Sequence, residues 1–124
     1  MAETPAPGRP VRGSTTGRPV MAALDLLGRR WILRVIWELH QHGGPIGFRD
    51  LQRRCDGMSS SVLSTRLTEL REAGLAAPTP ESTWHLTPLG THLVTAMGPL
   101  LDWSRVWAAQ QGSPDTDTTG PNPS

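Results

Sequence analysis

The chain contains one cysteine, no lysine and no apolar run long enough to cross a bilayer. With Cys55 alone no internal disulfide can form, and the N-terminus lacks a secretory apolar segment. These absences predict a cytoplasmic protein with no membrane association. There is also no glycine-rich phosphate loop, nucleophile elbow or paired-carboxylate arrangement, so no enzymatic activity and no cofactor are expected. The four histidines, His40, His42, His85 and His92, have no cysteine or acidic pair to complete a metal site. His40 and His42 stand two apart at a helix end, a spacing that does not put both rings on one face. No metal is expected.

Large apolar side chains are almost missing from residues 1–19 and entirely missing from residues 112–124. Segments of that composition cannot bury enough surface to offset ordering entropy. The expected organisation is a disordered arginine-containing arm over 1–19, one folded domain over 20–111 and a disordered acidic tail over 112–124. A domain of that size is marginal alone, which favours an oligomer.

Net charge is only +1, but it is unevenly distributed. Arg29, Arg30, Arg34, Arg49, Arg53 and Arg54 face only Glu38 and Asp50 in the same stretch, a local excess of +4. The arm adds Arg9, Arg12 and Arg18, and the tail carries Asp115 and Asp117. Such a concentration permits nucleic-acid binding without establishing it.

Periodicity predicts a short helix over 20–27 ending at Gly28, then a second helix through "RRWILRVIWELHQH" ending at Gly43-Gly44. Pro45-Ile46-Gly47 reads as a turn with one or two strand residues. "FRDLQRRC" supplies a third helix with Phe48, Leu51 and Cys55 on one side. A fourth helix opens at Ser59 or Ser60, either of which can cap it, and closes at Gly74 with Leu75 folding back. Two short extended pieces, "LAAP" and "STWHL", form a hairpin. A Thr87 cap with Pro88 begins the last helix, which runs to about residue 110 and can bend at Gly98-Pro99. This is a mainly α chain with a small β-hairpin, in the order of a winged helix-turn-helix.

The fourth helix has two chemistries. Val62, Leu63, Leu67, Leu70 and Ala73 form its inward stripe, while Ser61, Ser64, Thr65 and Thr68 share the opposite face, with Ser59 and Ser60 at its start. Small hydroxyl side chains allow close approach to a DNA groove, and the helix N-terminus attracts phosphate. Those six residues are the candidate groove contacts, and Arg29, Arg30, Arg49, Arg53 and Arg54 the candidate phosphate contacts. Arg66 falls within the inward stripe, where a guanidinium snorkels or pairs with a carboxylate. Met21, Leu24 and Leu27 on the first helix, with Leu100, Trp103 and Trp107 on the last, form an apolar surface that a monomer would leave exposed. Trp103 and Trp107 are core or interface residues, or the lining of an effector pocket between subunits.

The blocks "PVMAALDLLGRRWILRVIWEL", "GFRDLQRRCDGMSSSVLSTRLTELREAGL" and "HLTPLG" occur in order and resemble the HxlR-type winged helix-turn-helix transcriptional regulators over residues 19–103. The resemblance implies a homodimer, joined through its first and last helices, on a roughly palindromic double-stranded operator. The fourth helix would lie in the major groove, the hairpin would serve as the wing, and a small-molecule effector becomes a possible partner. Two features depart from the pattern. Arg18 stands just before Pro19-Val20, where many members carry a sensing cysteine, and Cys55 reads as a small core residue. The wing is short, has no arginine and carries Glu81 at its tip. A wing reduced in this way leaves a second reading open, a winged-helix module that mainly binds another protein.

Overall fold

The structure, a computed structural model, describes residues 4–10 and 18–112. Its elements run α1 (Pro19–Leu27), α2 (Ile32–His42), β1 (Ile46–Gly47), α3 (Phe48–Arg54), α4 (Ser60–Glu72), β2 (Ala76–Pro78), β3 (Thr83–Leu86), α5 (Pro88–Ala96) and α6 (Gly98–Gln110). The core lies between α2 and the helix-turn-helix pair. Ile32, Val35 and Ile36 of α2 meet Leu51 of α3 and Leu63, Leu67 and Leu70 of α4, all essentially removed from solvent. Fully burying side chains of this type contributes roughly 1.5–3 kcal/mol each.

Three details differ from the sequence expectation. The second helix begins at Ile32, because Trp31 adopts a left-handed conformation (φ 75°) at its N-cap and the chain from Gly28 to Trp31 is a turn. The hairpin gains a third strand, giving an antiparallel sheet ordered β1-β3-β2 in which Ile46 pairs with Trp84 and Ala76 with Leu86. The last helix is two helices that meet at the buried Met97; Pro99, at the start of α6, has no N–H to continue the ladder.

At the N-terminus, Pro5 is buried and Thr4 Oγ1 donates to Glu72 at the end of α4. Within the arm expected to be disordered, this short piece lies against the domain. Arg12 and the acidic tail beyond Gly112 fall outside the described residues.

The end of α4 is fixed by backbone geometry. Gly74 (φ 79°) lets the chain reverse, with Leu75 N donating to Leu70 O at 2.9 Å and Gly74 N to Arg71 O at 3.0 Å. Thr87 then joins this reversal to α5. Its Oγ1 donates to Gly74 O at 2.6 Å and accepts from Gly90 N at 3.1 Å, while its own N–H reaches Leu75 O at 3.0 Å. Gly90 must be glycine here, since a Cβ would sit 2.1 Å from Leu75 O.

Charge sets the rotation of α4. Glu69 is buried and receives two guanidiniums, Arg29 from the α1–α2 turn on one oxygen and Arg66 on the other. Arg29 also lies 3.9 Å from Asp25 of α1. Arg66 is thus paired with a carboxylate, one of the two arrangements its position allowed. Removing one member of a buried ion cluster leaves the others desolvated without a partner, which typically costs 3–5 kcal/mol. Glu69→Ala is expected to lower unfolding stability by about 3 kcal/mol, read by urea denaturation. A loss below about 1 kcal/mol, the scale of surface pairs, would show that the cluster does not hold the helix.

Cys55 closes α3 with no solvent exposure. Burial pushes its thiol up from the usual 9.0 to about 11; the nearby Arg34 acts in the opposite direction, and Glu38 and Asp56 reinforce the rise. An unfolded chain would ionise this thiol first, so its contribution to stability is complete below pH 9 and is lost as pH rises towards 11. At pH 8 the folded thiolate fraction is about a hundredfold below that of an unperturbed thiol. Iodoacetamide should therefore label native Cys55 at least a hundredfold more slowly than the urea-unfolded chain; equal rates would place the thiol at the surface.

Candidate nucleic-acid interface

The turn between α3 and α4 determines where α4 begins. Asp56 (φ 58°) and Gly57 (φ 71°) carry the chain through two left-handed residues, and Met58 returns to the core. Gln52 on α3 spans the turn, its Nε2 donating to Met58 O at 2.8 Å and Ser60 Oγ at 3.2 Å. From α2, Arg34 donates to Glu38 at 2.9 Å and to Arg54 O at 2.7 Å, and lies 3.3 Å from Asp56. The start of α4 is thus tied to both preceding helices. Ser59 caps it, its Oγ accepting from Val62 N at 3.2 Å.

From that start, the exposed side of α4 presents Ser60, Ser61, Ser64 and Thr68, with Thr65 half-buried beside them. Ser59 is exposed as well, its Oγ 3.4 Å from that of Ser61. The six hydroxyl residues singled out in the sequence therefore share one surface. The initial amides of a helix have no intrahelical acceptor, which gives this surface a positive end aimed outward. Arg71, exposed on the same side one turn beyond Thr68, is an addition that sequence reading passed over; its helical spacing from Ser64 and Thr68 could have identified it.

The five arginines separate into two groups. Arg49, Arg53 and Arg54 are exposed on α3, with Arg53 bound to Asp50 and Arg54 Nη1 3.7 Å from Glu38. Arg30 is exposed and lies over the Trp31 ring at 5.4 Å. Arg29 differs: its side chain is only 17% exposed and is committed to Glu69 and Asp25, leaving its guanidinium poorly placed for phosphate. The wing contributes no cation. Its turn is closed by Thr79, whose N–H donates to Thr83 O at 2.7 Å and whose Oγ1 accepts from Glu81 N and Thr83 N, and Glu81 is exposed at the tip.

A second surface lies on the first and last helices. Leu24, Leu100, Trp103 and Trp107 are each more than half exposed, and so are Val20 and Val106 of the same two helices, which the sequence stripe omitted. Met21 and Leu27 are half-buried, and Leu27 packs against the core of its own chain. Helix α6 has no buried residue, and Trp103 and Trp107 stack with ring centroids 5.7 Å apart and planes within 9°. Of the histidines, His42 Nε2 lies 3.1 Å from Pro45 O and His85 Nδ1 3.0 Å from Leu86 O. Among the described residues no three His, Cys, Asp or Glu side chains gather as a metal site, and no helix is long and apolar enough to cross a membrane.

Comparison with known proteins agrees with this geometry. A possible HxlR family transcriptional factor from Thermoplasma volcanium is 28% identical with a TM-score of 0.61, over 70% of this chain and 82% of that one. Quinone-bound YodB from B. subtilis is 27% identical with a TM-score of 0.59, over 73% and 94%. A regulator described as of the MarR family, from Enterococcus faecalis V583, is 28% identical with a TM-score of 0.66, over 75% and 88%. No curated protein sequence matches the chain. The family model for the HxlR-like helix-turn-helix matches residues 26–112, from the end of α1 through the whole of α6, and the chain belongs to that family.

Proposed function

We propose that this protein is a sequence-specific DNA-binding regulator of transcription that acts as a homodimer, with α4 of each subunit in the major groove of one half of a roughly palindromic operator. The hydroxyl face of α4 carries the reading: an outward helix start with small side chains and no acidic group over its first two turns, held beside the arginines of α3. Base contacts fall to Ser60, Ser61, Ser64, Thr65 and Thr68. Phosphate contacts fall to Arg30, Arg49, Arg53 and Arg54; Arg53 is held only by the exposed Asp50, and Arg54 lies 3.7 Å from Glu38 while remaining exposed itself. Two copies would meet through Leu24, Leu100, Trp103, Val106 and Trp107, which a monomer leaves in water. A small-molecule effector fits this reading. Because Arg18 stands before Pro19 and Cys55 is buried, such a ligand would bind without a thiol adduct.

Mobility shift on duplex DNA flanking the protein's own gene, repeated across salt concentrations, tests the DNA reading. Phosphate neutralisation makes log K fall linearly with log salt. Arg49→Ala and Arg53→Ala should each weaken binding to operator and random duplex alike and lower the salt slope by about 1. Ser61→Ala should instead narrow the difference between operator and random DNA. Absence of any shift at low salt would leave the protein-interaction module, with its arginine-free wing, as the better reading.

Sedimentation tests the dimer. Trp103→Glu with Trp107→Glu places two charges on the α6 surface and should convert the dimer to monomer. A double variant that sediments as a stable dimer would move the interface elsewhere.

A further inference from the structure

The outer surface of α4 has a chemical bias, whose meaning rests on the proposed reading of this helix as the one that enters the major groove. Thr65 Oγ1 donates to Ser61 O at 2.9 Å, and Thr68 Oγ1 donates to Ser64 O at 3.0 Å. Both hydroxyl protons are committed to the backbone. What each side chain still offers a base is its γ-methyl group and the lone pairs of its oxygen.

The usual donors for purine recognition are missing from the first two turns of this surface, Arg71 standing a turn beyond Thr68 at the other end of the helix. Gln52, whose amide reaches the start of α4, is engaged by Met58 O and Ser60 Oγ. Arg66 is turned inward to Glu69. Over the first two turns of the exposed face the side chains are serine and threonine alone. The bidentate contacts that identify guanine through O6 and N7, or adenine through N6 and N7, need a guanidinium, ammonium or amide, and α4 presents none there. Serine hydroxyls donate or accept, so they discriminate weakly. The thymine C5 methyl is the apolar feature of the major-groove edge, and it is complementary to a threonine methyl.

We propose that Thr65 and Thr68 are specificity-determining residues of the operator contact, each packing its methyl group against the C5 methyl of a thymine. The half-site positions met by the first two turns of α4 are then defined by thymine, with guanine unread there.

Full-length protein selected against a random-sequence duplex library tests this without knowledge of the operator. The selected duplex is compared with copies in which single thymines are replaced by deoxyuridine, which removes only the methyl. Wild-type protein should lose about fourfold in affinity at each contacted thymine, the effect of exposing one methyl group. Thr65→Ser keeps the oxygen and its bond to Ser61 but lacks the methyl; it should bind the thymine and deoxyuridine duplexes equally at one position. Equal affinity of wild-type protein for all thymine and deoxyuridine copies overturns the proposal, and that measurement needs no variant to fold. Selected half-sites defined by guanine overturn it too. Failure to select any duplex over random DNA is a different result, which overturns the DNA-binding reading and this inference with it.

Discussion

Glu69 places a carboxylate among the apolar side chains of α4 and holds it between Arg29 and Arg66. Hydrophobic contact is non-directional. The stripe of Leu63, Leu67 and Leu70 would accept a modest rotation of the helix with little loss. Two guanidiniums converging on opposite oxygens of one carboxylate would not, because any rotation separates charges that are largely withdrawn from water. The cluster therefore acts as a register pin more than as a source of net stability. It connects α4 to the α1–α2 turn and, through Asp25, to the helix that carries the exposed Leu24.

The remaining constraints place the ends of the same helix. At its start, Gln52 and Arg34 fix the turn that delivers Ser59; at its end, Gly74, Thr87 and Gly90 join the reversal to α5. A helix pinned at both ends and through Glu69 in its second half presents its outer face without further ordering on contact. Less side-chain and backbone freedom then remains to be lost when a partner binds. This matters for a surface of serine and threonine, whose individual contacts are weak and depend on placement.

Much of this was legible from residues alone. A serine cap at Ser59 or Ser60, the Gly74 reversal with Leu75, the Thr87-Pro88 start and the two faces of α4 all follow from local spacing; the structure has each of them and places the cap at Ser59. What spacing could not give was the allocation of charge. Of the six arginines between residues 29 and 54, Arg29 and Arg34 are drawn into internal ion pairs, so the local excess of +4 overstates what a phosphate would meet. A charge count treats all arginines alike, whereas tertiary packing sorts them by reach to Glu69 or Glu38. Trp31 was missed for a related reason. A left-handed tryptophan has no local signal, since that conformation is disfavoured for large side chains and survives only where the surrounding fold imposes it. The pairing of Ile46 with Trp84 is non-local in the same way.

Helix α6 bears on how a chain whose wing has no cation would hold DNA. Thirteen residues with no buried side chain are marginal as a helix in water, and the Trp103–Trp107 stack covers only part of its apolar surface. A second copy on this face would stabilise the helix and also join two recognition helices in one body. Each subunit brings Arg30, Arg49, Arg53 and Arg54, so pairing doubles the exposed cations without requiring any from the wing. Once one half was bound, the second would meet its half-site as an intramolecular partner, and modest contacts would combine into a larger affinity. On this reading the exposed tryptophans and the bare wing are linked: charge that the wing does not supply in one subunit is supplied by the arginines of the other.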